Sequence, residues 1–448
     1  MILALSLLIA LSSTLTFSAS VPRSVRISGR DFVDAKTGLP LVLSGPNVVV
    51  KGPPYLPSVE GSTECNDIVN DECSANGNCT SCETFNSADV ANLRNRGWNS
   101  IRLGVVWAGA QPLNGDALDA AFLVRLHALL NLTDAANVNV VLDNHGDMVG
   151  GASCGNGAPL WFQQQAARDL IGLPLTTGFP YNLVPGLQIT ELGGYQVCGS
   201  NASRWAAFSG DINYNIMNEC CQAMNSGGNP GALGFTTISQ ATMDYLVTEG
   251  PGRDAFVNFW RLMAEAVSGH PSAIACELMN EPMTIRRTRA FDTWRAAGLA
   301  ISAVIPDMSI SVMDIGEAIL IPNWIVDIVG GSELISNDTM AWIREAGNVF
   351  LAWHWYGQPA NVTQAAQDAL ALSASWGIPS FATEFGDCSA WVATAQANIS
   401  HLFWHYSSYC TTGPAFGNRH APADTFGACI LGWAGGSSSG VCGPSRRV

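Results

Sequence analysis

Short apolar runs that stop abruptly at polar residues recur along this chain, and stretches with helical spacing separate them. The run from Ala275 to Met279 ends at Asn280, Glu281 and Pro282. Ile378 to Phe385 delivers Glu384 just before Gly386. Val349 to Ala352 leads into Trp353, His354, Trp355 and Tyr356, and Val138 to Leu142 ends at Asp143, Asn144, His145, Gly146 and Asp147. Runs of this length, apolar on both faces and bounded by breakers, have the pattern of strands in a buried parallel sheet. Pro282 has no N–H for a ladder, so it ends its strand and leaves Asn280 and Glu281 at the C-terminal mouth. Leu41–Val49, Asn99–Val106, Met308–Ile315 and Ile399–Tyr409 read as the remaining strands. Helices are predicted over Asn86–Gly97 (with Ser87 as the cap), Asp119–Ala136, Gly252–Ser268, a stretch through Arg286, Arg287 and Arg289, and Asn361–Trp376. In the third of these Phe256, Phe259, Trp260, Met263 and Val267 share one face, which is core.

Strand and helix alternate about eight times with polar residues at strand C-termini, so the expected fold is a single α/β domain, a (β/α)8 TIM barrel with large disulfide-bearing loop insertions. Alternation from Val25 to Asn47 around Lys36, Thr37 and Gly38 predicts a hairpin closing the barrel bottom. Gly172–Gln240 has no sustained period and many glycines, the mark of an active-site insertion that walls the cleft.

The chemistry follows from what the strands deliver. Glu281 and Glu384 each arrive alone at a strand end, where a glutamate is commonly a solvated rim residue. As a pair across a sugar-sized cleft they match glycoside hydrolysis, one carboxyl protonating the leaving oxygen and one attacking or activating water. Period-two alternation aims His354 and Tyr356 to one side and Trp353 and Trp355 to the other. Arg102, inside a strand, is costly unless paired.

Composition narrows the partners. The 448 residues are 48% hydrophobic, enough for a large core, and carry a formal charge of −15, which opposes nucleic acid and anionic membranes. A neutral substrate fits better. Met1 to Ser20 has a short apolar run followed by small residues and reads as a secretory signal peptide, leaving residues 21–448 as the barrel domain. Six sequons, at Asn78, Asn131, Asn201, Asn337, Asn361 and Asn398, are compatible with secretion. Thirteen cysteines grouped in loops point to disulfides clamping the insertions, with Cys276 the free and buried one left over. Cys79-x-x-Cys82 lacks a second pair to complete a zinc site, and His401 and His405 lie on a predicted strand, which disfavours metal.

Asn280-Glu281-Pro282, His354-x-Tyr356 and Thr383-Glu384-Phe385-Gly386, in that order on successive strands, resemble glycoside hydrolase family 5, the cellulase-like retaining enzymes of clan A. Lys51-Gly-Pro-Pro-Tyr55 and Gly155-Asn-Gly-Ala-Pro159 resemble the endoglycoceramidase branch, which cuts the glycan from glycosphingolipids. The resemblance implies Glu281 as acid/base and Glu384 as nucleophile. It implies Arg102 beside the nucleophile, Asn280 on the sugar 2-hydroxyl, His354 and Tyr356 around the nucleophile, Lys51, His145 and Asp147 on sugar hydroxyls, and Trp404 stacking on sugar. Gly146 departs from the glutamine found between the His and the Asp in that branch. Neither cofactor nor metal is implied; the partners would be a carbohydrate or glycolipid and, transiently, a lipid surface. The stretch after Tyr409 is too short for the β-sandwich that such endoglycoceramidases carry. A β-glucanase, a mannanase, or a secreted glycan-binding protein without catalysis are the other readings.

Overall fold

The computed structural model describes residues 20–51, 54–60, 84–153, 155–171, 173, 175–179, 181–183, 188–189, 234–313, 334–356, 361–386 and 388–404. Eight parallel strands close into one barrel: β3 (Ser44–Val48), β4 (Ser100–Gly104), β5 (Asn139–Asp143), β6 (Ala273–Glu277), β7 (Ser309–Val312), β8 (Val349–Trp355), β9 (Ser380–Phe385) and β10 (Ser400–Phe403), with β10 returning to β3. Neighbours in the barrel are neighbours in sequence, as right-handed βα units demand. Each expected strand is present. The long runs at both ends of the chain are trimmed, Leu41–Val49 to five residues and Ile399–Tyr409 to four, with Trp404 just past the last.

Register sets the functional level. Asn47 lies beside Arg102, Asp143 beside Glu277 and His354 beside Glu384, so three ladders each set two polar residues side by side, with Asp143 two positions beyond the β5 partner of Arg102. The β8–β9 ladder shifts between Trp353 and His354. Such an irregularity re-aims a side chain near a site.

At the opposite end an apolar plug fills the barrel. Phe32 meets Phe350 and Phe381 edge-on, with ring centroids 5.6 and 5.4 Å away, beside buried Leu43, Val141, Ile274 and Leu402. Burying one such ring contributes about 1.5–3 kcal/mol. Phe32 comes from the hairpin of β1 (Val25–Ser28) and β2 (Asp31–Asp34), which closes the bottom and turns at Gly29-Arg30; past the predicted turn the chain pairs back on β2 as well, Val33 with Pro40. Gly29 has φ 62°, a conformation glycine adopts freely. Lys36-Thr37-Gly38 forms a second turn, where Asp34 Oδ1 accepts from the backbone N–H groups of Lys36 and Thr37.

Helices pack around the strands by their apolar faces. In Pro251–Val267 the five residues singled out by spacing are all fully buried. The helix Ser87–Asn95 is capped not by Ser87 but by Asn86, whose Oδ1 accepts from Ala88 N–H while Asp89 accepts from Asn86 N–H. That is a capping box, with the amide side chain doing what the hydroxyl was expected to do. No helix among the described residues is long and apolar enough to cross a membrane.

Cys276 is buried and free, as expected, and burial pushes its thiol pKa up. Asn131, Asn337, Asn361 and Asn398 are exposed. Residues 1–19 of the expected signal peptide, Asn78, Asn201, His405, residues 190–233 of the insertion and every cysteine except Cys276 and Cys388 lie outside the described residues, and with them the disulfide expectation.

Candidate active site

Arg102 occupies the axis of the site. It is fully buried, and a buried guanidinium is tolerable only when its five N–H groups find acceptors. Here they do. Nε and Nη2 fork onto Glu277 at 2.9 and 2.7 Å, Nη1 reaches Asn47 Oδ1 at 2.8 Å and Glu384 Oε2 at 3.0 Å, and Nη2 also reaches Asn280 Oδ1 at 2.8 Å. Asp143 Oδ1 stands 3.0 Å from Nη2. Asn47 is itself anchored, its amide donating to the carbonyls of Thr383 and Phe403.

Around this cation the carboxylates differ. Burial pushes Glu277 toward protonation, yet Arg102 and His354 outweigh it and hold its pKa at about 2. Glu384 is likewise penalised by burial and likewise held below the ordinary range, by His354 and Arg102 together with the hydroxyl of Tyr356, which donates to Oε1. Glu281 goes the other way. Burial raises its pKa, and the negative charges of Glu384 and Asp147 add to the rise against the opposing pull of His354. Its backbone has φ 40°, a left-handed conformation that a non-glycine residue adopts only at a cost of about 1–3 kcal/mol. Strain of that size is held in place by the Pro282 turn and the hydrogen bond of Asn280 N–H to Asn144 C=O.

His354 stands between carboxylates. Its Nδ1 is 2.9 Å from Glu281 Oε1 and 4.0 Å from Glu384 Oε2, and its Nε2 faces Glu277 Oε1 at 3.6 Å. Burial favours the neutral ring, but these acids raise the pKa to about 10. Oxygens of Glu281 and Glu384 and a nitrogen of His354 all lie within 4.8 Å of one another. The three could in principle ligate a cation. A protonated His354 donates from both nitrogens and has no lone pair to offer a cation.

A second group flanks the first. Lys51 Nζ is 2.7 Å from Asp147 Oδ2 and 4.5 Å from the ring centre of Trp404, and the Trp404 ring stacks on His145 at 5.2 Å and 13°. His145 Nδ1 pairs with Asp143 Oδ2 at 2.8 Å, while Nε2 lies 3.6 Å from Asp147. Burial disfavours its charge, and the two aspartates overcome that and raise its pKa to about 9. The Gly155-Asn156-Gly157 turn fixes Asp147: Asn156 accepts from its N–H and donates to its Oδ2, both at 3.0 Å. A Cβ on Gly155 would fall 1.8 Å from the Asp147 carbonyl, so only glycine fits there. A Cβ on Gly146 would lie 3.1 Å from Gly157 Cα. Tyr55 is buried against Gly109, so in the Lys51–Tyr55 segment it is Lys51 that joins the charged groups.

Every residue singled out from the sequence, Glu281, Glu384, Lys51, Arg102, His145, Asp147, Asn280, His354, Tyr356 and Trp404, therefore falls in one of these two adjoining groups. Sequence reasoning missed Asn47, Asp143 and above all Glu277. A signal was present: a buried strand arginine requires a buried acid, and Glu277 interrupts an otherwise apolar run.

The profile of cellulases, glycosyl hydrolase family 5, matches residues 68–409. The chain belongs to glycosyl hydrolase family 5. This family 5 chain is 25% identical over 294 residues to an endoglycoceramidase of Cyanea nozakii, covering 65% of this chain and 47% of the relative. It is 31% identical over 165 residues to endoglycoceramidase I of Rhodococcus hoagii, 37% of this chain and 28% of the relative. The chain thus spans about half or less of the length of these relatives. Its fold is that of endo-glycoceramidase II from Rhodococcus sp., solved with a cellobiose-like imidazole (TM-score 0.52, 16% identity, 85% of this chain and 76% of that one).

Proposed function

We propose that this chain is a secreted, retaining β-glycosidase that releases the glycan from glycosphingolipids, with Glu281 as acid/base and Glu384 as nucleophile. One observation carries the reading: the two carboxylates have oxygens within 4.8 Å of each other, yet their surroundings push their proton affinities in opposite directions. Retention needs carboxyl groups about 5–5.5 Å apart, inversion about 6.5–9.5 Å. Opposed environments divide the roles, the group that keeps its proton acting as acid and the ionised one as nucleophile.

In the first step Glu384 attacks the anomeric carbon, the bond to the leaving oxygen breaks, and Glu281 gives that oxygen its proton. His354, charged at 2.9 Å, stabilises the carboxylate that Glu281 becomes. In the second step Glu281 takes a proton from water as the oxygen attacks, and the bond to Glu384 breaks. Asn280 spends its carbonyl on Arg102 and one N–H on the Gly146 carbonyl, which leaves a second N–H for the sugar 2-hydroxyl. Trp404, Lys51, His145 and Asp147 form a platform with polar rims for the glycan beyond the cleaved bond.

The relatives named endoglycoceramidase support a lipid aglycone over a β-glucan or mannan. A binding protein without catalysis would have no use for a buried, oppositely tuned pair. The test is incubation of the protein with glucosylceramide and lactosylceramide in detergent, and separately with polymeric β-glucan. Chromatography reads the sugar released, and proton NMR the anomer formed first. Release from a glycosylceramide with retained configuration is expected. Sugar from the polymer alone removes the lipid reading, and an inverted product removes the assignment of Glu384.

A further inference from the structure

We propose that Glu277 is a positioning residue shared by both reacting carboxylates: its two oxygens orient the guanidinium that holds Glu384, and its charge faces the imidazole that holds Glu281. The inference rests on the glycosidase reading and extends it to a residue four positions before the acid/base.

Glu277 closes β6, and neither of its oxygens points to solvent; the side chain is completely buried. Its fork on Arg102 uses Nε and one Nη2 proton, the two N–H groups that define the plane and rotation of a guanidinium. Once that edge is fixed, the direction of Nη1 toward Glu384 Oε2 is fixed as well. On its other side Oε1 faces His354 Nε2 at 3.6 Å, while the opposite ring nitrogen holds Glu281. A single carboxylate thus lies one residue away from the nucleophile and one from the acid/base. A purely structural ion pair would need one of these contacts, not both.

The charges facing this cluster come from every side. Lys51 follows β3, Arg102 projects from β4, Asp143 from β5 with His145 and Asp147 just beyond it, Glu281 from the loop after β6, His354 and Tyr356 from the end of β8, and Glu384 from β9. Removing the Glu277 charge leaves His354 with fewer anions, which lowers its pKa from about 10. A less charged ring holds the carboxylate that Glu281 becomes on giving up its proton less firmly, so proton transfer to the leaving oxygen slows. Arg102 loses the fork that sets its plane, and Glu384 loses a rigid partner.

The experiment compares Glu277→Gln with wild type in the full chain, on the unactivated β-glycoside that wild type cleaves. The expected result is a kcat lower by about 100-fold, as for misplacement without lost contact, with KM little changed because Glu277 touches no substrate. The alkaline limb of the kcat profile, which reports the Glu281 proton, should shift from its wild-type position, because Glu277 acts on that proton through the charge of His354. A variant that keeps the wild-type kcat and pH profile overturns the proposal, and so does one that loses thermal stability alone while its folded fraction turns over normally. Should the variant not fold, wild type itself decides. Nitrogen NMR of the labelled histidines, assigned with His354→Gln, should show His354 as imidazolium up to about pH 8; a neutral ring at neutral pH sinks the idea. A wild type inert on every β-glycoside removes the function and this inference together, which distinguishes that failure from the others.

Discussion

The two ends of the barrel are equally buried and made from the same strands, yet they obey different rules. On β8 the chain passes from Phe350 to His354, on β9 from Phe381 to Glu384, on β6 from Ile274 to Glu277 and on β5 from Val141 to Asp143, and all eight residues are nearly or fully inaccessible. At the bottom the buried atoms want only contact, and rings at 5.4–5.7 Å supply it. At the top the buried atoms are charged and want partners; three carboxylates, from Asp143, Glu277 and Glu384, share the single guanidinium of Arg102. Burial therefore does not separate core from site. What separates them is whether removing a side chain leaves a void or an unpaired charge.

That contrast can be broken by substitution, and the largest effect belongs to the top. Glu384→Gln and Glu281→Gln should each reduce turnover of an unactivated glycoside by on the order of 10⁴-fold, measured as kcat at saturating substrate. Melting temperature should change little in Glu281→Gln, where neighbouring acids oppose the charge, and should fall in Glu384→Gln, which takes a partner from Arg102 and His354. Full activity in either variant would take that residue out of the mechanism. The bottom should behave in reverse: Phe32→Ala should lower unfolding free energy by about 3–5 kcal/mol, read from denaturant titration, with kcat per folded molecule unchanged. Loss of activity without loss of stability there would abolish the division.

The pH dependence of stability sharpens the contrast, since the buried titrating groups gathered around Arg102 lie at the top. The His354 pKa rises from an ordinary 6.5 to about 10 and that of His145 to about 9. A raised pKa means the folded state binds the proton more tightly, so this stabilisation is whole below about 6.5 and disappears as pH climbs through 9 to 10. Glu277, held at about 2, acts oppositely: its contribution is present above 4.5 and is lost as pH falls toward 2. Melting temperature should accordingly decline on both sides of a plateau at about pH 5–6.5, with the alkaline slope shallower in His354→Gln. An unchanged slope in that variant would show that the ring is neutral in the folded protein.

How much of this was legible in the sequence follows the same division. The eight strands could be read because hydrophobic runs and their breakers are local; Glu281, Glu384, His145 and Asn280 could be named because they follow such runs, and Arg102 because a charge inside a strand needs a partner. Glu277 was missed because its fork partner is 175 positions away: the sequence shows that Arg102 needs a buried acid and that Glu277 breaks an apolar run, but only the fold joins the two. The expected turn at Lys36-Thr37-Gly38 forms and pairs Val33 with Pro40, but the preceding turn at Gly29-Arg30, which pairs β1 with β2, was not anticipated, because the four-residue strands on either side are too short to show alternation. Ser87 was preferred as a cap over Asn86 although both can accept, and Asp89 three positions after Asn86 was the local sign that decides.

The smallest expected effect lies at the outer edge of the top, where Lys51 is partly exposed and touches no reacting group. Its ammonium bridges Asp147 and the face of Trp404, so it fixes the rim of the glycan platform without contacting Glu281 or Glu384. Lys51→Ala leaves Asp147 still held by Asn156 and still facing His145, which limits the damage to the lost donor and a looser Trp404 ring. On a glycosphingolipid, whose glycan reaches the platform, kcat/KM should fall by about 1–3 kcal/mol, the cost of leaving sugar hydroxyls without a charged partner. On a small aryl glycoside, which ends before the platform, it should hardly change. An equal loss on both substrates would mean that Lys51 acts on the reacting carboxylates through the field it shares with them, and the boundary between the binding rim and the catalytic centre would then have to be drawn outside Asp147.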